Sequence, residues 1–270
     1  MTSLIHLLKI DLKKLTSYRT FWIVCGLYFI TLAFSTASGM EFLKWLARTF
    51  KNFGSELNIN RIPLYHFPDV WLNLIYFSGL LKIVLAIMTV ISITNEYTYR
   101  TLRQNVIDGL SRWEFLLSKI LTNVGLSLLS VLMVSVIAFV TGLIYSPELN
   151  WRYVFSDMEF LVAYFLEIFA FLSYALMLGV FVQRSGLTII LLLLSHMLEA
   201  IVRENVDNYV PQIIPFFPME SISNLVPMPY QRYAFQEIRD YLTFGSIAIA
   251  LGWTFLFNYF SYAKLKRADI

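Results

Sequence analysis

The chain has 270 residues, of which 58% are apolar and only 14% charged, whereas soluble proteins run near roughly 45–50% and about 25%. The excess falls in blocks, which excludes an ordinary soluble domain and marks a membrane protein. The net charge of +3 is too small to argue for a nucleic-acid partner, and the single cysteine, Cys25, excludes an intrachain disulfide.

Residues 4–18 predict an amphipathic helix lying on the membrane. Leu4, Ile5, Leu8, Leu12 and Leu15 form one stripe, with Lys9, Lys13 and Lys14 towards the other side. These lysines are spread among leucines, with no short apolar core before a small-residue cleavage site, so the first apolar block is expected to stay in the mature protein. Tyr18, Arg19, Phe21 and Trp22 then mark a membrane boundary.

Six apolar spans follow, over about 21–40, 70–94, 118–145, 159–182, 187–202 and 241–262. A crossing needs about 20 residues at 1.5 Å rise. The fifth has only 16 residues between Arg184 and Arg203, and crosses only if its flanking arginines snorkel or the bilayer thins. The fold class is therefore an all-α polytopic membrane protein in a single domain. Residues 41–55 form a further outer amphipathic segment, with Phe42, Trp45, Leu46 and Phe53 set against Lys44, Arg48 and Lys51. Gln183-Arg184-Ser185-Gly186 is a tight turn, so spans four and five form an antiparallel hairpin. Residues 203–240 hold five of the eight prolines and predict short helices dipping into the outer leaflet.

An even number of spans puts both termini on one side. With the termini inside, the inner segments carry twelve Lys/Arg against five acids, and the outer segments eight against eleven. The Lys/Arg bias sets orientation, which places both termini in the cytoplasm.

The polar break at 95–117 carries most information. Glu96, Arg100 and Arg103 share a face at i, i+4 and i+7, and Glu96 before Arg100 is the favourable order for an ion pair. Asp108-Gly109 supplies a helix stop. Ser111-Arg112-Trp113-Glu114 is a capping box, so the next helix starts at about Arg112, ahead of the membrane. The result is a short, capped elbow suited either to docking on another protein or to serving as a well-capped solvated loop.

This stretch resembles the coupling region of type-2 ATP-binding-cassette (ABC) transporter permeases. In that family a glutamate at the inner end of the second span is followed by Thr-Leu-Arg, then Ser-Arg, then a Leu-rich run ending in lysine. The matching residues are Glu96, Thr101, Leu102, Arg103, Ser111, Arg112, Leu116, Leu117 and Lys119. Arg100 stands where the family commonly has glycine, and Asp108-Gly109 where many members have proline. The outline of the whole chain agrees as well. The resemblance implies a permease dimer of this chain or a close relative, in the cell inner (plasma) membrane. Separate ATPase subunits would contact the elbow, chiefly through Glu96, Arg103 and Arg112, in a family dominated by exporters. None of the eleven glycines precedes a lysine, so the sequence has no G-x-x-x-x-G-K-[ST] phosphate loop, and ATP hydrolysis falls to another chain. No cofactor and no metal are expected on this one.

Intramembrane charges are costly and default to functional hypotheses. Lys82 lies in span two, Glu167 in span four, and His196 and Glu199 in span five. Lys82 either pairs with Glu167 or Glu199, or lines a polar path. His196 and Glu199, at i and i+3, are read as a hydrogen-bonded pair within the bundle, with a metal or proton relay as the alternative. Two rival classes use these residues: an ion-coupled secondary transporter, for which no inverted repeat is visible, and an intramembrane enzyme, for which H-E-x-x-H and G-x-S-x-G are both missing. A non-transporting membrane anchor or assembly factor would use the elbow in the same way as a permease.

Overall fold

The blocks of apolar sequence become helices that pack side by side, with no strand among the described residues. The computed structural model describes residues 4–49, 65–147, 150–229 and 242–268. The helices are α1 (Leu4–Ser17), α2 (Arg19–Thr49), α3 (Asp69–Leu80), α4 (Lys82–Thr98), α5 (Thr101–Ile107), α6 (Arg112–Tyr145), α7 (Trp151–Val154), α8 (Glu159–Val182), α9 (Ser185–Asp207), α10 (Pro218–Ser223) and α11 (Phe244–Arg267), with a 3-10 helix over Pro211–Phe216 before α10. The chain is an all-α, multi-pass membrane protein. Among the described residues, four segments are each long and apolar enough to cross a bilayer: α6, α7 with α8, α9 and α11. Two bent pairs bring the number to six if each is one span.

The first bent pair turns by 86° between α1 and α2, the attitude of a helix lying along the membrane surface beside one that enters it. The helix α2 runs on to Thr49, past the boundary expected at residue 40. The side-chain pattern expected over 41–55 lies outside the described residues. In the second pair, the span expected to be continuous over 70–94 bends by 42° between α3 and α4. Ser78-Gly79 supplies a recognised cause of kinks. The Ser78 hydroxyl bonds back to the Leu74 carbonyl, and Leu81 N–H reaches Ser78 O in a tightened turn.

At the centre stands α8, packed by α11, α4, α6, α3 and α9. It has small residues where neighbours come closest. A Cβ on Gly179 would strike Ile93 Cγ2 of α4, so only glycine lets these two backbones approach so nearly. Polar side chains add hydrogen bonds across helices. Tyr28 of α2, Ser130 of α6 and Tyr164 of α8 form a closed triad at 2.5, 3.0 and 3.3 Å. Thr89 donates to Asn123 Oδ1 at 3.0 Å, and Asn123 Nδ2 donates to the Leu172 carbonyl at 3.3 Å. Such bonds are worth about 0.6 kcal/mol each on average in membranes.

Span five is longer than its apolar run. With 23 residues, α9 extends about 35 Å, long enough to cross although its apolar run between Arg184 and Arg203 is shorter. Arg203 lies within the helix and pairs with Glu220 of α10. The turn at Gln183-Arg184 is as expected, with Gln183 in the left-handed region at φ 61° ending α8. The proline-rich segment folds into the 3-10 helix and α10, short helices as expected, while 230–241 lie outside the described residues.

Candidate functional site: the elbow and the charges that hold it

The chain breaks at Arg100, whose φ of 55° is left-handed, and α5 begins at Thr101. A side chain there costs roughly 1–2 kcal/mol, which explains why glycine suits this position. The break overturns the expected Glu96–Arg100 ion pair. The two residues no longer share one helix, and Arg100 turns outward while Glu96 is buried.

The far end of α5 closes as expected. Gly109 takes φ 94°; its N–H bonds Val106 O at 3.1 Å, and Leu110 N–H bonds Asn105 O at 2.9 Å. That pattern is a Schellman close, in which glycine avoids the left-handed penalty. The capping box forms too. Glu114 N–H donates to Ser111 Oγ at 3.2 Å, and Ser111 N–H donates to Glu114 Oε2 at 3.0 Å.

What fixes the elbow to the bundle is a cluster of four charges, three of them buried and the fourth, Lys14, half-buried. Glu96 receives Thr101 Oγ1 at 2.5 Å, Lys119 Nζ at 3.0 Å and Lys14 Nζ at 3.3 Å. Lys119 Nζ also donates to Asp11, whose second oxygen takes the Thr122 hydroxyl at 2.6 Å. Lys14 reaches on to Asn105 Oδ1 of α5 at 3.4 Å. Two carboxylates and two ammonium groups leave no net charge, which is the condition under which buried ions are tolerable. The cluster joins α1, α4, α5 and α6. Beneath it, Leu102 inserts into a small apolar core with Phe115, Leu116, Val180 and Leu265.

Sequence reading found Glu96, Thr101 and Lys119 but missed Asp11, Lys14, Asn105 and Thr122 as their partners. The one visible signal was Asp11, a lone acid in a helix otherwise basic. The leucine stripe gave no sign that Asp11 is buried against the bundle while Leu12 beside it stays exposed. Arg112 is not a free surface cation: it donates to the Lys266 carbonyl and so ties α6 to the end of α11. Helix α1, through Asp11 and Lys14, and the end of α11, through Lys266, therefore both meet the elbow. The other face is open. Tyr99 and Ile107 are 63% and 74% exposed, with Arg100 and Arg103 between them also exposed.

The intramembrane charges gather elsewhere, towards the end of the bundle away from the elbow. Lys82 Nζ donates to Glu167 Oε1 at 2.5 Å, the first of the two expected pairings. Glu199 takes neither expected partner. Its two oxygens accept the N–H groups of Met219 (2.9 Å) and Glu220 (2.7 Å) at the start of α10, because free helix N–H groups attract a carboxylate. His196 lies against the Phe171 ring instead, centroids 5.7 Å apart. Among the described residues no group of three or more His, Cys, Asp or Glu could hold a metal ion.

The model of a family described as "Protein of unknown function (DUF2705)" matches residues 52–270, four-fifths of the chain. The chain belongs to that family. The match takes in the elbow, Lys119 and all the intramembrane charges, while Asp11 and Lys14 lie before it. No curated protein matches this DUF2705 chain.

Proposed function

We propose that this DUF2705 protein is the membrane-spanning permease subunit of a type-2 ABC transporter. In this reading two copies, or one copy and a close relative, form a translocation path in the cell inner (plasma) membrane. Separate cytoplasmic ATPase subunits drive it, in the export direction. The observation that carries the reading is the two-sided elbow. Its inner face is locked by the Glu96–Lys119–Lys14 cluster and Leu102, and its outer face presents Tyr99, Arg100, Arg103 and Ile107 to a partner.

A solvated connection between two spans has no use for such fixation. A lever does, because a force applied to α5 passes directly to α1, α4 and α6. Preorganisation also lowers the ordering cost of docking. Closure of the ATPases on ATP would push the elbow as one body with the inner end of the bundle. Catalysis of ATP hydrolysis belongs to the partner.

The test is purification of the tagged protein from its native membrane in mild detergent, with bound proteins identified by mass spectrometry. The expected result is a stoichiometric partner carrying a phosphate loop, with ATPase activity in the eluate. The variant Ile107→Asp should insert and melt like the wild type, since the residue is exposed, yet lose the partner. A wild-type dimer or monomer without an ATPase would overturn the proposal and favour an ion-coupled transporter working through Lys82 and Glu167.

A further inference from the structure

The Lys82–Glu167 pair lines a cavity of about 350 Å³ between α3, α4, α8, α9 and the segment after α10. That volume is at the lower end for ligand sites, which run about 300–1,000 Å³. His196 completes the polar side, Phe171 and Val226 are among the apolar walls, and Leu80 stands at the rim. Leu80 is 60% exposed, so one side chain of the cavity's lining also lies on the outside of the bundle.

Its polar groups are only half used. Glu167 is 5% exposed; Oε1 takes Lys82, but Oε2 is buried and accepts no hydrogen bond among the described residues. The Lys82 ammonium has three N–H groups, one of which meets Glu167 Oε1, and its other close contact is the Phe171 ring at 5.4 Å. A pair serving only as glue would be expected to satisfy both oxygens, since unmet charge in an apolar site is expensive. Gly79 lets the carboxylate lie close against α3, for a Cβ there would lie 3.2 Å from both oxygens.

We propose that this cavity binds the polar head of a zwitterionic amphiphile, one with a primary ammonium close to an anionic group. The ligand's ammonium pairs with the Glu167 carboxylate, reaching Oε2 once the side chain turns from its buried position beside Gly79, and its anion takes the remaining protons of Lys82. The ion pair then becomes a four-charge arrangement with no net charge. The apolar body leaves past Leu80 towards the bilayer. A phospholipid head and a small zwitterionic peptide share this chemistry. The site needs no ATPase and stands independently of the permease reading.

The test is calorimetric titration of the full-length protein in maltoside micelles with dihexanoyl-phosphatidylethanolamine below its own micelle concentration. Parallel arms use dihexanoyl-phosphatidylcholine, whose nitrogen has no N–H, and the dipeptide leucyl-phenylalanine. The ethanolamine lipid should bind at least tenfold more tightly than the choline lipid. Glu167→Gln, nearly isosteric, should abolish that preference. Leu80→Trp, at an exposed rim position and therefore safe for folding, should weaken binding at least tenfold by obstructing the mouth. Binding of the dipeptide in place of the lipid, with the same sensitivity to both variants, supports the site and assigns a peptide source. Equal binding of the two lipids with no dipeptide binding, or a preference that survives both substitutions, overturns the proposal.

Discussion

At the scale of single residues, Lys119 has the most demanding position. It is 4% exposed and faces two carboxylates, Asp11 and Glu96, from neighbouring helices. Its ammonium makes those two acids compatible. Lys119→Ala leaves them buried and repelling each other, and removal of one partner from a buried ion pair costs about 3–5 kcal/mol. The variant should therefore melt well below the wild type in detergent. Replacing all four charges by neutral residues of similar size (Asp11→Asn, Lys14→Met, Glu96→Gln, Lys119→Met) should recover most of the loss, because it is uncompensated charge that is expensive. An unaltered melt for Lys119→Ala would show that the cluster does not hold α1 in place.

Among the elements, α8 decides how tightly the bundle closes. Gly179 sits where α8 crosses α4 and the Ile93 side chain fills the space above it. Gly179→Leu puts four carbons into that contact. Overpacking of a filled core typically costs about 1–3 kcal/mol, and here the two helices must also separate at the level of Val180 and Leu102, beneath the elbow. Loss of stability should accompany loosening of α5, read as faster hydrogen exchange over 101–107 than in the wild type. Gly186→Ala, where a Cβ meets nothing within 4 Å, is the matched control and should leave both measurements unchanged. Equal behaviour of the two variants would mean that the α4–α8 crossing does not support the elbow.

For the whole molecule the orientation can be read with added cysteines, since the native Cys25 is buried. Arg103 lies on the elbow, and Tyr209, 86% exposed, at the opposite end beyond α9. In intact cells a membrane-impermeant maleimide should label Tyr209→Cys at once and Arg103→Cys only after permeabilisation. The reverse pattern would place the elbow outside and end the ATPase reading. The sequence by itself determined the membrane class, the apolar helical segments and the caps at the far end of the elbow. Each rests on a local pattern: apolar runs about 20 residues long, a serine three residues before a glutamate, and a glycine after a helix end. Only the tertiary structure decided which charges meet. Lys14 and Glu96 are 82 positions apart and Lys119 and Asp11 108, and no periodicity relates such distant residues. Nor could spacing show that α4 ends before Arg100, because the helical period that aligned Glu96 with Arg100 holds only while the helix continues. Partner choice for Glu96 and Glu199 followed from which buried donors three-dimensional packing brought near, since burial leaves a carboxylate no water to fall back on.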